Sequence, residues 1–323
     1  MSEQPFPRTV LLAGGVGGAR MAAGFMRALP AQALTVVVNV GDDDWFHELR
    51  VCPDLDTVMY TLSGQVNAKQ AWGVEGDSTR ALEVLKRLGA AATWMTLGDA
   101  DIGLHLYRTT RLRHGATLSD VSSEIARAFG LEVRVLPATD DVVSTKMVSE
   151  EGVLSFQEWF VERRCEPCVH QVRTEGAERA VATRQVLEAL SAAELIVFAP
   201  SNPLLSILPM LRISGLETAV RSSAAAKVVV SPLINGVAVK GPLHKLLQDL
   251  NFPSGNLGIA QSYGDLADGF VIDSSDAADA PALQRCGYNV LSTSTRIATP
   301  ELGESLAKRI LEFTGARQAC KEA

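Results

Sequence analysis

The sequence is short of several things, and each shortage removes a class of function. No apolar stretch reaches the roughly 18 uninterrupted residues of a bilayer-spanning helix, so no membrane partner is expected. Basic charge is scarce: 30 Lys and Arg stand against 37 Asp and Glu, for a net charge of −7. The basic residues are also spread along the chain, without the stripe that neutralises nucleic-acid phosphates. No nucleic-acid partner is expected.

The opening MSEQPFPRTV holds two prolines and a glutamate where a secretory signal needs a basic region and then a longer apolar one. The expected location is therefore cytoplasmic. The cysteines (Cys52, Cys165, Cys168, Cys286 and Cys320) are odd in number and scattered, which fits reduced thiols. Cys165 and Cys168 form a CxxC with His170 nearby, but a structural zinc site needs four ligands and no second CxxC exists. The chain also has no Gly-Lys dipeptide, so it carries no P-loop.

What remains is a globular composition, 47% hydrophobic and 21% charged over 323 residues. Thr9 to Ala13 and Leu34 to Val40 are apolar runs separated by a helix-like segment, Ala19 to Leu29, that stops at Pro30. Continuous apolar strands alternating with helices imply a parallel sheet covered on both faces. The texture returns in Leu195 to Ala199, Lys227 to Val230, Leu257 to Ala260, Gly269 to Asp273 and Asn289 to Ser292, and a helix-like segment from Pro300 to Thr314 closes the pattern. The expected fold is α/β: a doubly wound, Rossmann-like, mostly parallel sheet formed by residues 1–64 and 185–323. Residues 65–184, with two capped helical patterns and alternating stretches from Leu131 to Arg173, are expected to form an inserted subdomain of helices and β-hairpins.

The first strand runs into LLAGGVGGAR, where Gly14, Gly15, Gly17 and Gly18 crowd five positions. A dinucleotide fingerprint requires a small residue at the end of G-x-G-x-x-G, and Arg20 stands there instead. A strand, unobstructed glycine N–H groups and a helix N-terminus still make an anion site, suited above all to phosphate. The alternative is a tight turn without a ligand.

The second strand runs out into VNVGDDDWFHELRVCPDLD, which places Asp42, Asp43, Asp44, Asp54 and Asp56 within fifteen residues. Carboxylates beside a diphosphate repel it unless a cation lies between them, and Mg2+ suits a few carboxylates plus phosphate oxygens. Asp54 is read as a helix N-cap and Asp56 as chemistry; for Asp42 and Asp43 the alternative is a solvated acidic turn. Trp45, Phe46 and Trp72 are either stacking surfaces for a flat heterocycle or ordinary core. Loops containing Ser201, Asn202 and Ser231 follow two further strands, on the edge where open α/β sheets bind ligands.

Taken together, GGVGGAR, VNVGDDDWFHELRVCPDLDTVMYTLSG, WGVEGDSTRALEVLKRLG, TLGDADIGLHLYRT, RVLPATDD, FQEWFVERRCEP, APSNPLLSI and VVVSPLINGVAVKGP resemble the 2-phospho-L-lactate transferase family of coenzyme F-420 biosynthesis. The likeness runs in order from about Val10 to Phe313. It implies transfer of a phosphorylated three-carbon acid (2-phospholactate, phosphoenolpyruvate or 3-phosphoglycerate) from its guanosine diphosphate conjugate. The implied acceptor is the ribityl hydroxyl of 7,8-didemethyl-8-hydroxy-5-deazariboflavin, with release of GMP, use of magnesium and a homodimeric enzyme. On this likeness the glycine loop, Ser201, Asn202 and Ser231 hold the guanosine diphosphate portion. Asp42 and Asp56 hold magnesium, and one of them accepts the hydroxyl proton. Asp56 also matches a position that touches the deazaflavin, as does Thr96, where other members can carry a basic residue.

Two other readings compete. A group of similar fold, regulators that bind uridine sugar nucleotides, carries ADDGGSSGRLR after the second strand, where this chain has GDDDWFHELR. An NAD-dependent oxidoreductase conflicts with Arg20.

Overall fold

The computed structural model describes residues 6–321, with side chains described through residue 315, so the Cys320 thiol lies outside the described residues. The main sheet is built from β1 (Thr9–Ala13), β2 (Leu34–Val38), β3 (Arg134–Pro137), β4 (Leu195–Phe198), β5 (Ala226–Val230), β6 (Gly269–Asp273) and β7 (Asn289–Thr293). All neighbours pair in parallel, in the spatial order β7-β6-β5-β4-β1-β2-β3. Every residue of β1, β2, β4 and β6 is buried, as expected of strands sandwiched between helical layers.

The chain leaves β1 towards β2 and β3 on one side, then returns to β4 on the other and continues outward to β7. The direction of winding reverses between β1 and β4. Beyond the carboxyl ends of these two strands lies the crevice where doubly wound sheets bind ligands.

Five helices matter for the site: α1 (Gly15–Ala28), α2 (Pro53–Leu62), α3 (Asp99–Arg113), α4 (Leu118–Ala128) and α5 (Pro300–Lys321). Helix α1 starts directly from β1, and α5 lies across it so closely that a Cβ on Gly24 would stand 2.4 Å from the Gly303 carbonyl oxygen. Two glycines thus let one backbone rest on the other.

Two expectations are corrected. Leu257 to Ala260 is part of a helix, Gly255–Tyr263, because the buried residues Asn256, Ile259, Ala260 and Tyr263 recur at helical spacing while Leu257 faces outward. The span 65–184 is not one insertion, since Arg134–Pro137 is the edge strand of the main sheet, with Val36 opposite Val135. The exposed Arg134 and the terminal Pro137 are both tolerated there because an edge strand has a free side. The hairpin expectation holds further on, in an antiparallel sheet ordered 152–155, 144–149, 169–175.

Candidate active site

A cavity of about 860 Å³ opens at the switch point between β1 and β4. Gly14, Gly15, Gly17, Asp42, Asp56, Thr96, Ser201, Asn202 and Ser231 all line it, although they come from six separate stretches of chain. Gly18, Asp43 and Trp45 do not.

The glycine loop divides its work. Gly14 stands at the N-cap of α1 and its N–H donates to Ser201 Oγ (3.3 Å), while that hydroxyl donates to the Gly14 carbonyl (2.7 Å). Gly15 sits at φ +59°, which a side chain would strain, and its N–H donates to Asp54 Oδ1 at 2.7 Å. The sequence reading left these N–H groups open for a ligand, but the protein already uses both. The first-turn donors without a partner among the described residues belong to Val16 and Gly17. Gly17 has no room for a side chain, because a Cβ would come within 2.1 Å of the Pro200 carbonyl oxygen. Gly18 packs helix against strand, its missing Cβ directed at Ala13 and Ser201.

Asp54 is therefore no simple N-cap; Cys52 occupies that position of α2, with Pro53 following. Asp54 Oδ2 accepts from Asn39 Nδ2 at 3.0 Å, so the carboxylate ties the end of β2 to the glycine loop. Burial raises its pKa to about 6 against the hydrogen bonds from Asn39 and Gly15. Asp42 is raised well above the usual carboxylate range, first by burial and then by the charge of Asp54, and its Oδ1 is buried without a partner. Two repelling carboxylates with an orphaned oxygen suit a divalent cation. Among the described residues no cluster of three or more His, Cys, Asp or Glu stands in metal-binding arrangement, so a cation here would take its other ligands from water or substrate.

Asp56 is held differently. Both of its oxygens accept from the Arg108 guanidinium, Oδ2 from NH1 at 3.1 Å and Oδ1 from NH2, and all of these groups are buried. Its position on the cavity wall fits contact with a ligand, yet its lone pairs are largely committed to Arg108. The carboxylate charge that raises Asp42 comes chiefly from Asp54, while Asp56 is engaged by a cation of the protein itself. His105 lies beside this ion pair, its pKa lowered to about 4 by burial despite Asp56. Tyr60 donates to Asp101 at 2.9 Å along the same wall.

Asp43 forms a buried ion pair with Arg50 at 3.2 Å and holds the turn after β2 in place. Trp45 is 47% exposed on a hairpin (Asp44–Phe46 with Leu49–Val51), its ring 5.9 Å from the Arg50 guanidinium. Trp45 is not among the residues that line the cavity. The aromatic surface comes instead from Trp72, Tyr60, Phe156 and Phe160, the last two stacked with centroids 5.2 Å apart.

In the loop after β4, Asn202 accepts from the Leu204 N–H (3.0 Å) and leaves its buried Nδ2 without a partner. Ser231 donates to Asn256 Oδ1 at 2.6 Å. Arg20, Lys240 and Arg296 add positive charge to the lining, and Lys240 donates to the Gln70 carbonyl at 2.7 Å.

Sequence reasoning passed over Asp101, His105 and Arg108. They stand at i, i+4 and i+7 on α3, one helical face, and that polar periodicity in DADIGLHLYR was the available signal. For Arg296 and Lys240 no local pattern exists; only the fold brings them to the cavity.

The Cys165 and Cys168 thiols are both free, and burial pushes Cys165 up to about 11. No helix among the described residues is long and apolar enough to cross a membrane.

Comparison with known proteins supplies the family. The protein is 35% identical to the 2-phospho-L-lactate transferase of Methanosarcina mazei, over 94% of this chain and 99% of that one. It is 34% identical to the phosphoenolpyruvate transferase of Nocardia farcinica, over 96% of each. Its fold is similar to the crystal structure of a UPF0052 family member from Bacillus halodurans, with a TM-score of 0.62, 17% identity and coverage of 95% of this chain and 99% of that one. The model of the family described as 2-phospho-L-lactate transferase CofD matches residues 9–294, so the chain belongs to that family.

Proposed function

We propose that the protein transfers a phosphorylated three-carbon acid from a guanosine diphosphate conjugate to the ribityl hydroxyl of 7,8-didemethyl-8-hydroxy-5-deazariboflavin, releasing GMP. The acid is 2-phospholactate, phosphoenolpyruvate or 3-phosphoglycerate, and relatives named for the first two are about equally similar. The observation that carries this reading is the buried pair Asp42 and Asp54, one oxygen orphaned, set against the glycine loop.

In this reading the open N–H groups of Val16 and Gly17, with Asn202 Nδ2 and the Arg20 side, take the donor's phosphates and nucleoside. The apolar, aromatic end takes the flat deazaflavin ring. Magnesium, held by Asp42 and Asp54, would draw charge from the phosphate under attack. The hydroxyl oxygen bonds to the acid's phosphorus, the bond from that phosphorus to the bridging oxygen breaks, and GMP leaves with the electron pair. A carboxylate of this site accepts the hydroxyl proton. Asp56, fixed by Arg108, faces the acceptor. The protein acts in the cytoplasm as a homodimer.

The test offers the three guanylylated acids in parallel with deazaflavin and magnesium, and reads product mass. One acid is expected to give the phosphodiester. Failure with all three removes the reading.

A further inference from the structure

His105 on α3 is 2% exposed and lines the cavity next to Asp56. Its Nδ1 lies 3.2 Å from Arg108 NH1 and 3.6 Å from Asp56 Oδ2, the second beyond hydrogen-bond distance. A guanidinium only donates, so Nδ1 presents its lone pair to Arg108 and the ring proton stands on Nε2. Arg108 is itself immobilised by Asp56 and by the Arg50 carbonyl (3.3 Å). The tautomer is therefore set by a chain of buried partners.

Nε2 makes no hydrogen bond among the described residues, and it is not among the buried polar atoms sealed off without a partner. His105 lines the cavity, the space to which an unsealed atom of this ring has access.

We propose that His105 binds the acceptor substrate directly, donating from Nε2–H to an oxygen of its polar chain while Arg108 holds the ring in that tautomer. This assignment rests on the deazaflavin reading given above. It also separates two roles that a histidine in an active site can combine. With Nδ1 occupied and Nε2 carrying the proton, the ring orients the attacking alcohol but does not remove its proton. Proton removal is left to a carboxylate.

Two substitutions distinguish the donor role from a purely structural one. The Gln amide reaches about as far as Nε2, whereas the Asn amide reaches only as far as Nδ1. His105→Asn should weaken deazaflavin binding, followed by its fluorescence, about tenfold, one lost hydrogen bond. His105→Gln should stay within about threefold of the parent protein, and GDP affinity should be the same in all three proteins. Nitrogen NMR of the parent protein should show a neutral ring protonated at Nε2. Parent protein that binds no deazaflavin overturns the acceptor reading and this assignment with it. Binding that survives His105→Asn, rescue by Asn in place of Gln, or a ring protonated at Nδ1 overturns the assignment alone.

Discussion

Asp54 joins two parts of the chain that the fold brings together only at the switch point: one oxygen accepts from the Gly15 N–H at 2.7 Å and the other from Asn39 at 3.0 Å. The side chain whose charge acts on Asp42 thus also shapes the glycine loop. Asp54→Asn keeps the volume but puts an amide donor where an acceptor is needed. Magnesium-dependent GDP affinity, measured by titration calorimetry, should fall roughly 10- to 100-fold, and turnover should fall with it.

Asp42→Asn should stabilise the metal-free protein while abolishing most turnover. The substitution removes one of two buried, mutually repelling charges, and the expected rise in melting temperature is about 2–4 °C at pH 7.5. The sign with pH follows from the raised values. The folded state binds these protons more tightly than the unfolded one, so the penalty is present above the folded pKa and fades as pH falls through about 6, where Asp54 is protonated. Melting curves of parent and variant should therefore converge between pH 7.5 and 5. A gap that widens on acidification would contradict the coupling.

Arg108→Met should destabilise the protein by about 3–5 kcal/mol, because it leaves the Asp56 carboxylate buried without its partner. Adding Asp56→Leu should recover much of that loss, since no charge then remains stranded. Urea denaturation of the two single variants and the double variant measures the coupling, and strict additivity would dismiss it.

Gly15 and Gly17 should respond differently to substitution. At Gly15 there is space for a methyl group but φ is +59°, so Gly15→Ala should cost about 1–2 kcal/mol of backbone strain. Gly17→Val drives a side chain into the Pro200 carbonyl and should cost about 1–3 kcal/mol or displace the loop after β4. Donor and acceptor affinity, read separately with GDP and deazaflavin, should drop for Gly17→Val through the first ligand more than the second.

The sheet was legible because strands buried on both faces read as unbroken apolar runs, and the motif loops lie at their carboxyl ends. The errors came where that signal is ambiguous. NLGIAQSY is apolar enough for a strand, and only its three-to-four spacing marks a helix. LEVRVLP alternates like a hairpin strand because an edge strand exposes one side. Within the site, the glycines and Asp42 were visible as a local cluster. The partners of Asp54 and Asp56 were not, because they depend on Asn39, Arg108 and the helix that carries His105, and no short window contains them together. Trp45 stands outside the cavity lining for the related reason that an aromatic residue near a site in sequence can still turn outward in space.

The seat of α5 on α1 carries a practical warning. Gly24 and Gly303 meet backbone to backbone, and Arg20, on the cavity wall, donates to the Ile297 carbonyl at 3.3 Å. This brace comes from beyond residue 294, where the family match ends. Hybrid proteins that exchange only the matched stretch between relatives would thus inherit an α1 seated on a foreign support. Their nucleotide affinity would shift with no substrate-contacting residue altered, and grafting the tail together with α1 is the way to keep it.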